Sequence, residues 1–140
     1  MIVQKTTSEL ELRAALAIRF QVFVSEQAVP EDLEVDGLDG DCTHFLAIDG
    51  RVAVGTARLR TYKAGVAKAE RVAVLPAWRG RGVGHALMDA LEAEAARQHG
   101  EVMLNAQVQV VPFYLSRGYA LDGPEFEEAG IPHQRMRKPL

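Results

Sequence analysis

Hydrophobic positions change their period along this chain, and the changes mark out its elements. The opening "IVQK" reads as a short strand. In "SELELRAALAIRFQVFV", Leu10, Ala14, Ile18 and Val22 recur four apart, and Leu12, Leu16 and Phe20 widen the stripe. That period predicts one amphipathic helix capped by Ser8 or Thr7. From Ser25 to Cys42 the period is lost and Gly, Pro and acidic residues dominate, which predicts a long loop. "THFLAID" and "RVAVGTARLRTY" are strand-like, and Asp49-Gly50 between them is a strong hairpin signal. "VAKAERVAVLP" is another strand, ended by Pro76. A helix from about Arg81 to His99 buries Val83, Leu87, Leu91 and Ala95, and Gly100 closes it. "EVMLNAQVQ" reads as a strand, "VPFYLSRGY" as a short helix ending at Gly118, and the tail from about His133 as a last strand. Strand, helix, three strands, then strand–helix alternation predict an α/β fold. Its mixed sheet is antiparallel first and partly parallel later.

Composition narrows the picture. The chain has 140 residues, which predicts a single domain over 1–140. Hydrophobic residues make up 48% and charged residues 25%, the balance of a soluble globular protein. The apolar runs are far short of a membrane span, and "MIVQKTTSEL" lacks the apolar core of a signal peptide. Both favour the cytoplasm and no membrane partner. The single Cys42 excludes an internal disulfide and fits a reducing compartment, as a small buried or edge residue rather than a nucleophile. A net charge of −3 makes no electrostatic case for nucleic acid.

The most informative stretch is "AWRGRGVGHALMDALEAEAA", where a glycine-rich turn runs straight from a strand into a helix. This is a phosphate-binding arrangement: free N–H groups at a helix N-terminus face the anion, and missing Cβ atoms allow close approach. The dinucleotide pattern G-x-G-x-x-G fails, because the third position is His85 or Leu87. The P-loop pattern fails for lack of Gly-Lys-Ser/Thr. What remains is R-x-x-G-x-G, from Arg79 through Gly82 and Gly84. A turn that is glycine-rich for steric reasons alone is the competing reading.

"RVAVLPAWRGRGVGHALM" resembles the acetyl-CoA motif of the GNAT superfamily of N-acetyltransferases, Q/R-x-x-G-x-G/A. "RFQVFVSEQAVPEDLEVD", "GTARLR", "LNAQVQVVPFYLSRGY" and "FEEAGIPHQRM" extend the likeness, in order, to the ElaA/YjcF-like subgroup. The resemblance implies a GNAT (acyl-CoA N-acyltransferase) fold, a mixed central sheet with splayed strands and flanking helices. It implies acetyl-CoA as cosubstrate and a small-molecule or peptide amine as acceptor. The turn formed by Arg79, Gly80, Arg81, Gly82, Val83, Gly84 and His85 would then hold the CoA pyrophosphate on backbone N–H groups. Val72, Ala73 and Val74, on the strand before it, would pair with the pantetheine. Dimers are frequent in this superfamily, so a homodimer is among its implications.

Acetyl transfer needs the thioester held beside a neutral amine and a proton for the departing thiolate. By resemblance Tyr114 supplies that proton; an aromatic packed under the helix is the alternative, and Phe113 also fits that part. Asn105 either hydrogen-bonds the cosubstrate or holds the splayed strands. For the base, Glu70 is favoured, because alternation puts it on one face with Val72. Glu26, His44, His133 and water are the other candidates. No His, Cys or carboxylate spacing predicts a metal. Between Phe20 and Gly50 there is no Lys or Arg, while Glu26, Glu31, Asp32, Glu34, Asp36, Asp39, Asp41 and Asp49 are acidic. This is either a solvated acidic loop or a rim that attracts a cationic amine. Two other functional classes stay open: a CoA-binding sensor or assembly subunit without turnover, and a structural α/β domain with no affinity for the cosubstrate.

Overall fold

The computed structural model describes residues 1–140. Seven strands form one sheet: β1 (Ile2–Lys5), β2 (Thr43–Asp49), β3 (Val52–Lys63), β4 (Val66–Val74), β5 (Glu101–Gln107), β6 (Ala120–Glu128) and β7 (Ile131–Pro139). Their spatial order is β1-β2-β3-β4-β5-β7-β6. Only β4 and β5 run parallel; every other neighbouring pair is antiparallel. The helices are α1 (Glu9–Arg19), α2 (Glu31–Glu34), α3 (Val83–Ala95) and α4 (Val111–Ser116). No helix is long and apolar enough to cross a membrane.

The sheet carries a hydrophobic cluster on each face. On one face Val83, Leu87, Met88, Leu91 and Ala95 of α3 pack on Phe45, Ala57, Ala67, Ala69, Val102 and Leu104. On the other, Ala15, Ile18 and Val22 pack on Leu46 and Ala73. Gly55 of β3 is what brings α3 close. A Cβ there would lie 2.9 Å from Val83 Cγ1, 3.0 Å from Leu87 Cδ1 and 3.2 Å from the Ala73 carbonyl.

The first helix is tighter in its cap and looser in its run than its hydrophobic period predicts. The Ser8 hydroxyl accepts the Glu11 N–H at 3.1 Å, and the Glu11 carboxylate accepts the Thr7 N–H at 2.9 Å. This is close to a reciprocal capping box. After Arg19 the chain continues as a π-helix, Phe20–Glu26. The wider turn breaks the four-residue stripe, so Phe20 is exposed, and Leu10 in the first turn is 77% exposed. The hairpin turn is Gly50 and Arg51, since Asp49 still pairs with Val52. The predicted loop takes up the end of the π-helix, one turn of α-helix, α2, and a 3-10 turn at Asp39–Asp41. β6 has no counterpart in the predicted elements, because Gly123-Pro124 interrupts it where its register on β7 shifts.

Candidate active site

The site begins where the sheet opens. β4 and β5 pair from Val66–Glu101 to Ala69–Leu104 and no further. Beyond that point Val72–Val74 and Asn105–Gln107 diverge as facing, unpaired backbone edges. The divergence coincides with a bulge in β4: Arg58 of β3 opposes Glu70, yet Thr56, two residues earlier, opposes Ala73. The extra residue falls at Arg71, whose φ is +55°. A side chain rarely adopts that region, and such strain persists only where the surroundings hold it. Here the Arg71 guanidinium is held by the Glu34 carboxylate at 2.8 Å and the Glu34 carbonyl at 3.0 Å.

The bulge overturns one sequence expectation. Glu70 and Val72 do not share a face, because the extra residue inverts the alternation between them. Glu70 opposes Arg58 on the α1 side. Val72 and Val74 pack against the α3-side cluster, and Ala73 against the α1-side cluster.

The glycine turn lies next to this opening. Gly80 and Gly82 have φ of +76° and +83°, and Gly82 caps α3. The first α3 bond runs from the Ala86 N–H to the Gly82 carbonyl. The N–H groups of Gly80, Arg81, Gly82, Val83, Gly84 and His85 therefore donate to no carbonyl of the chain, and a Cβ at Gly80 or Gly82 would meet nothing within 4 Å. Gly84 is different: its Cβ would press on Phe113 at 3.2 Å, so it seats α3 on α4. The arginine side chains are largely engaged. Arg79 forms a bidentate pair with Glu26, both contacts 2.7 Å, and donates to the Val74 carbonyl at 3.0 Å. Arg81 lies over Trp78, 5.0 Å from the ring centre. His85 packs tilted on Phe113, ring centres 4.6 Å apart at 44°, and its Nδ1 accepts from Arg117 at 3.0 Å.

Opening and turn share one cavity of about 950 Å³, which Val72, Ala73, Val74, Asn105 and Tyr114 also line. Tyr114 is buried, its ring edge-on to Phe113 at 5.0 Å and Tyr119 at 5.5 Å. Its hydroxyl makes no hydrogen bond within the chain. Burial pushes the phenol well above its ordinary value, and the nearby Arg117 charge offsets this only in part. The phenol is thus a proton donor at neutral pH. The Oδ1 of Asn105 is buried with no hydrogen-bond partner from the chain.

Two buried arginines without any trace in the hydrophobic pattern organise the α1 side. Arg19 is 1% exposed and Arg58 0%. Arg19 pairs with Glu34 at 2.9 Å and Asp39 at 2.7 Å. Arg58 pairs with Asp36 at 2.8 Å and with Asp39 and Glu70 at 2.9 Å. Buried charges must be paired, and these draw the acidic loop inward. Glu34, Asp36 and Asp39 are therefore counterions within the protein, neither a solvated run nor an attracting rim; Glu31, Asp32 and Asp41 remain exposed or half-exposed without such partners. The Arg58 hydrogen bond holds the Asp36 carboxyl far below the usual range. For Glu70, burial pushes upward. The Arg60 hydrogen bond and the charges of Arg58 and Lys68 outweigh it, so the carboxyl lies below its ordinary value.

The other base candidates separate clearly. Glu26 lines the cavity but is bound to Arg79. His44 is buried away from the cavity, its Nε2 on the Asp39 carbonyl at 2.9 Å. His133 lines the cavity, and its Nδ1 donates to the Ile131 carbonyl at 2.7 Å. Cys42 touches the Leu38 carbonyl, and burial pushes its thiol up, so it is no ready nucleophile.

Known proteins share this fold over nearly the full chain. The family profile described as Acetyltransferase (GNAT) domain matches residues 4–140. The uncharacterized N-acetyltransferase YjcF of Bacillus subtilis (strain 168) is 44% identical over 133 residues, covering 94% of each protein. The crystal structure of Escherichia coli ElaA superposes with a TM-score of 0.86 at 31% identity, covering 98% of both chains. An acyl-CoA N-acyltransferase from Pseudomonas aeruginosa gives 0.85 at 31% identity, covering 99% of both. Strand opening, glycine turn and sequence likeness agree, and the chain belongs to the GNAT acetyltransferase family.

Proposed function

We propose that this protein transfers the acetyl group of acetyl-CoA to a primary amine carried by a small molecule or peptide. One observation carries the reading: the unpaired N–H row of residues 80–85 opens onto the same cavity as the diverging strands and the Tyr114 phenol. That cavity fits the cosubstrate. The N–H row offers donors for the pyrophosphate, with the α3 dipole behind them. The open edges of Val72–Val74 and Asn105–Gln107 offer amide partners for the pantetheine. Asn105 lines the cavity beside these edges, with its Oδ1 unpartnered within the chain.

The chemistry follows from the two sides of the opening. Backbone N–H groups near Val72–Val74 polarise the thioester carbonyl. As the carbon–sulfur bond breaks, Tyr114 gives its proton to sulfur. The burial that disfavours a phenolate also disfavours a thiolate beside it, which favours protonation of the departing sulfur. Glu70 is a poor proton acceptor while Arg58, Arg60 and Lys68 surround it, and its contribution is to anchor those cations at the cavity wall. Thiol release from acetyl-CoA, screened against small polyamines, amino acids, aminoglycosides and peptide N-termini, tests the reading. Amine-dependent release with at least one class is expected. Tight acetyl-CoA binding without release would favour a sensor or assembly subunit.

A further inference from the structure

Resting on the acetyltransferase reading, we propose that His133 is the catalytic base that takes the proton from the acceptor amine. The first support is its tautomer. Its Nδ1 lies 2.7 Å from the Ile131 carbonyl, which can only accept, so Nδ1 carries hydrogen and the neutral ring keeps its lone pair on Nε2. The ring is fixed by stacking on Phe126, centroids 5.9 Å apart at 23°. The backbone carbonyl thus acts as the orienting third group that a positioned base requires.

The second support is position. His133 opposes Gln107, the last residue of β5, in the β5–β7 ladder. That pair lies beyond the last β4–β5 contact, at the mouth of the opening. Register fixes the face: Lys68 opposes Met103 and Asn105 opposes Arg135, so Lys68, Glu70, Asn105, Gln107 and His133 project from the α1 side of the sheet. Tyr114 belongs to the α3-side cluster, yet it lines the same cavity. Acid and base therefore stand on opposite sides of the gap in which the thioester must lie, which is the disposition needed for an amine to enter from one side and sulfur to leave on the other.

The third support is the surrounding charge. From β6 the Glu128 carboxylate stands 3.7 Å from Nε2, too far for a hydrogen bond. From β5 the ring faces only the neutral Gln107 and Asn105. On its own strand Arg135 is paired with Asp122. Across the cavity Lys68 shares Glu70 with Arg58 and Arg60, Arg71 shares Glu34 with Arg19, and Arg79 pairs with Glu26. Each cation lining the cavity thus touches a carboxylate.

The step balances. One proton of the bound ammonium passes to Nε2, the freed nitrogen pair forms the bond to the thioester carbon, and the carbon–sulfur bond breaks with its pair on sulfur. Sulfur takes the Tyr114 proton. A second nitrogen proton returns through water to the phenolate, the third stays on the amide, and His133 releases its proton to solvent.

His133→Asn keeps a donor for the Ile131 carbonyl and removes the base. With an amine found active in the thiol-release screen, kcat/KM at neutral pH should fall by roughly 10²–10⁴-fold and partly recover at high pH, where the amine deprotonates itself. The acetyl-CoA Kd and Tm should stay at wild-type values. A wild-type profile for His133→Asn would overturn the assignment, as would a loss equal at all pH and matched by lost acetyl-CoA affinity. A long-range 1H–15N spectrum reads the tautomer without turnover: a hydrogen on Nδ1 is expected, and a neutral ring carrying it on Nε2 overturns the assignment. Absence of thiol release by the wild-type protein with every amine would instead overturn the acetyltransferase reading, leaving the spectrum to judge His133.

Discussion

Tyr114→Phe separates catalysis from packing. The change deletes one oxygen from a ring held edge-on by Phe113 and Tyr119, at 5.0 and 5.5 Å. The hydroxyl has no hydrogen-bond partner in the chain, so its removal orphans nothing, and stability should stay within about 1 kcal/mol of wild type. The rate should respond very differently. A positioned general acid contributes about 10²–10⁴-fold, which at about 1.36 kcal/mol per tenfold is about 2.7–5.4 kcal/mol of transition-state stabilisation. Acetyl-CoA affinity should hardly move, because the proton is needed only as sulfur departs. Because burial raises this phenol, ionisation of Tyr114 should produce no loss of wild-type activity up to pH 10. The assay combines steady-state thiol release, an acetyl-CoA titration and urea unfolding on the one variant. Full activity would refute the acid role. A lost affinity with kcat intact would make Tyr114 a binding residue and leave the acid to another group.

Three further outcomes follow from the same geometry. Arg58→Met leaves Asp36, Asp39 and Glu70 converging without their shared cation, and urea unfolding should show a loss of about 3–5 kcal/mol; a loss under about 1 kcal/mol would remove Arg58 from the account. Those carboxyls lie below their ordinary values when folded, so the stability they contribute is full above their unfolded pKa, about 4, and is lost as pH falls through the folded values. Unfolding free energy should accordingly decline below about pH 4, and stabilisation on acidification would contradict this. Gly82→Ala forces a side chain into the left-handed region at about 1–2 kcal/mol, and its methyl enters the open space beside the turn, which the proposed function assigns to the pyrophosphate. It should weaken acetyl-CoA binding, while Gly65→Ala, with φ of +79° in the β3–β4 turn, should carry similar strain and leave binding unchanged.

Much of this architecture is legible where local chemistry and tertiary structure ask for the same thing. Val83, Leu87, Leu91 and Ala95 repeat at helical spacing because α3 buries one face on the sheet, and all four are buried. The glycines of the turn are legible because Gly80 and Gly82 need positive φ. What escaped the pattern is non-local. Arg19 and Arg58 read as surface residues until the acidic loop, far off in sequence, supplies their counterions. The bulge at Arg71 has no glycine to announce it, since Glu34 holds the strained residue from a distance, and it inverts the faces of Glu70 and Val72. His133 reads as one histidine in a tail, because its ladder partner Gln107, its tautomer and Glu128 exist only once β6 and β7 form a hairpin.

Binding of acetyl-CoA to the purified protein bears most directly on the whole account. Ligand at about 100 times its Kd should raise the unfolding free energy by about 2.7 kcal/mol, seen as a saturable upward shift in Tm, with the Gly82→Ala variant shifted far less. An unmoved Tm at millimolar acetyl-CoA would contradict the assignment of the residue 80–85 turn and the β4–β5 opening as the cosubstrate site.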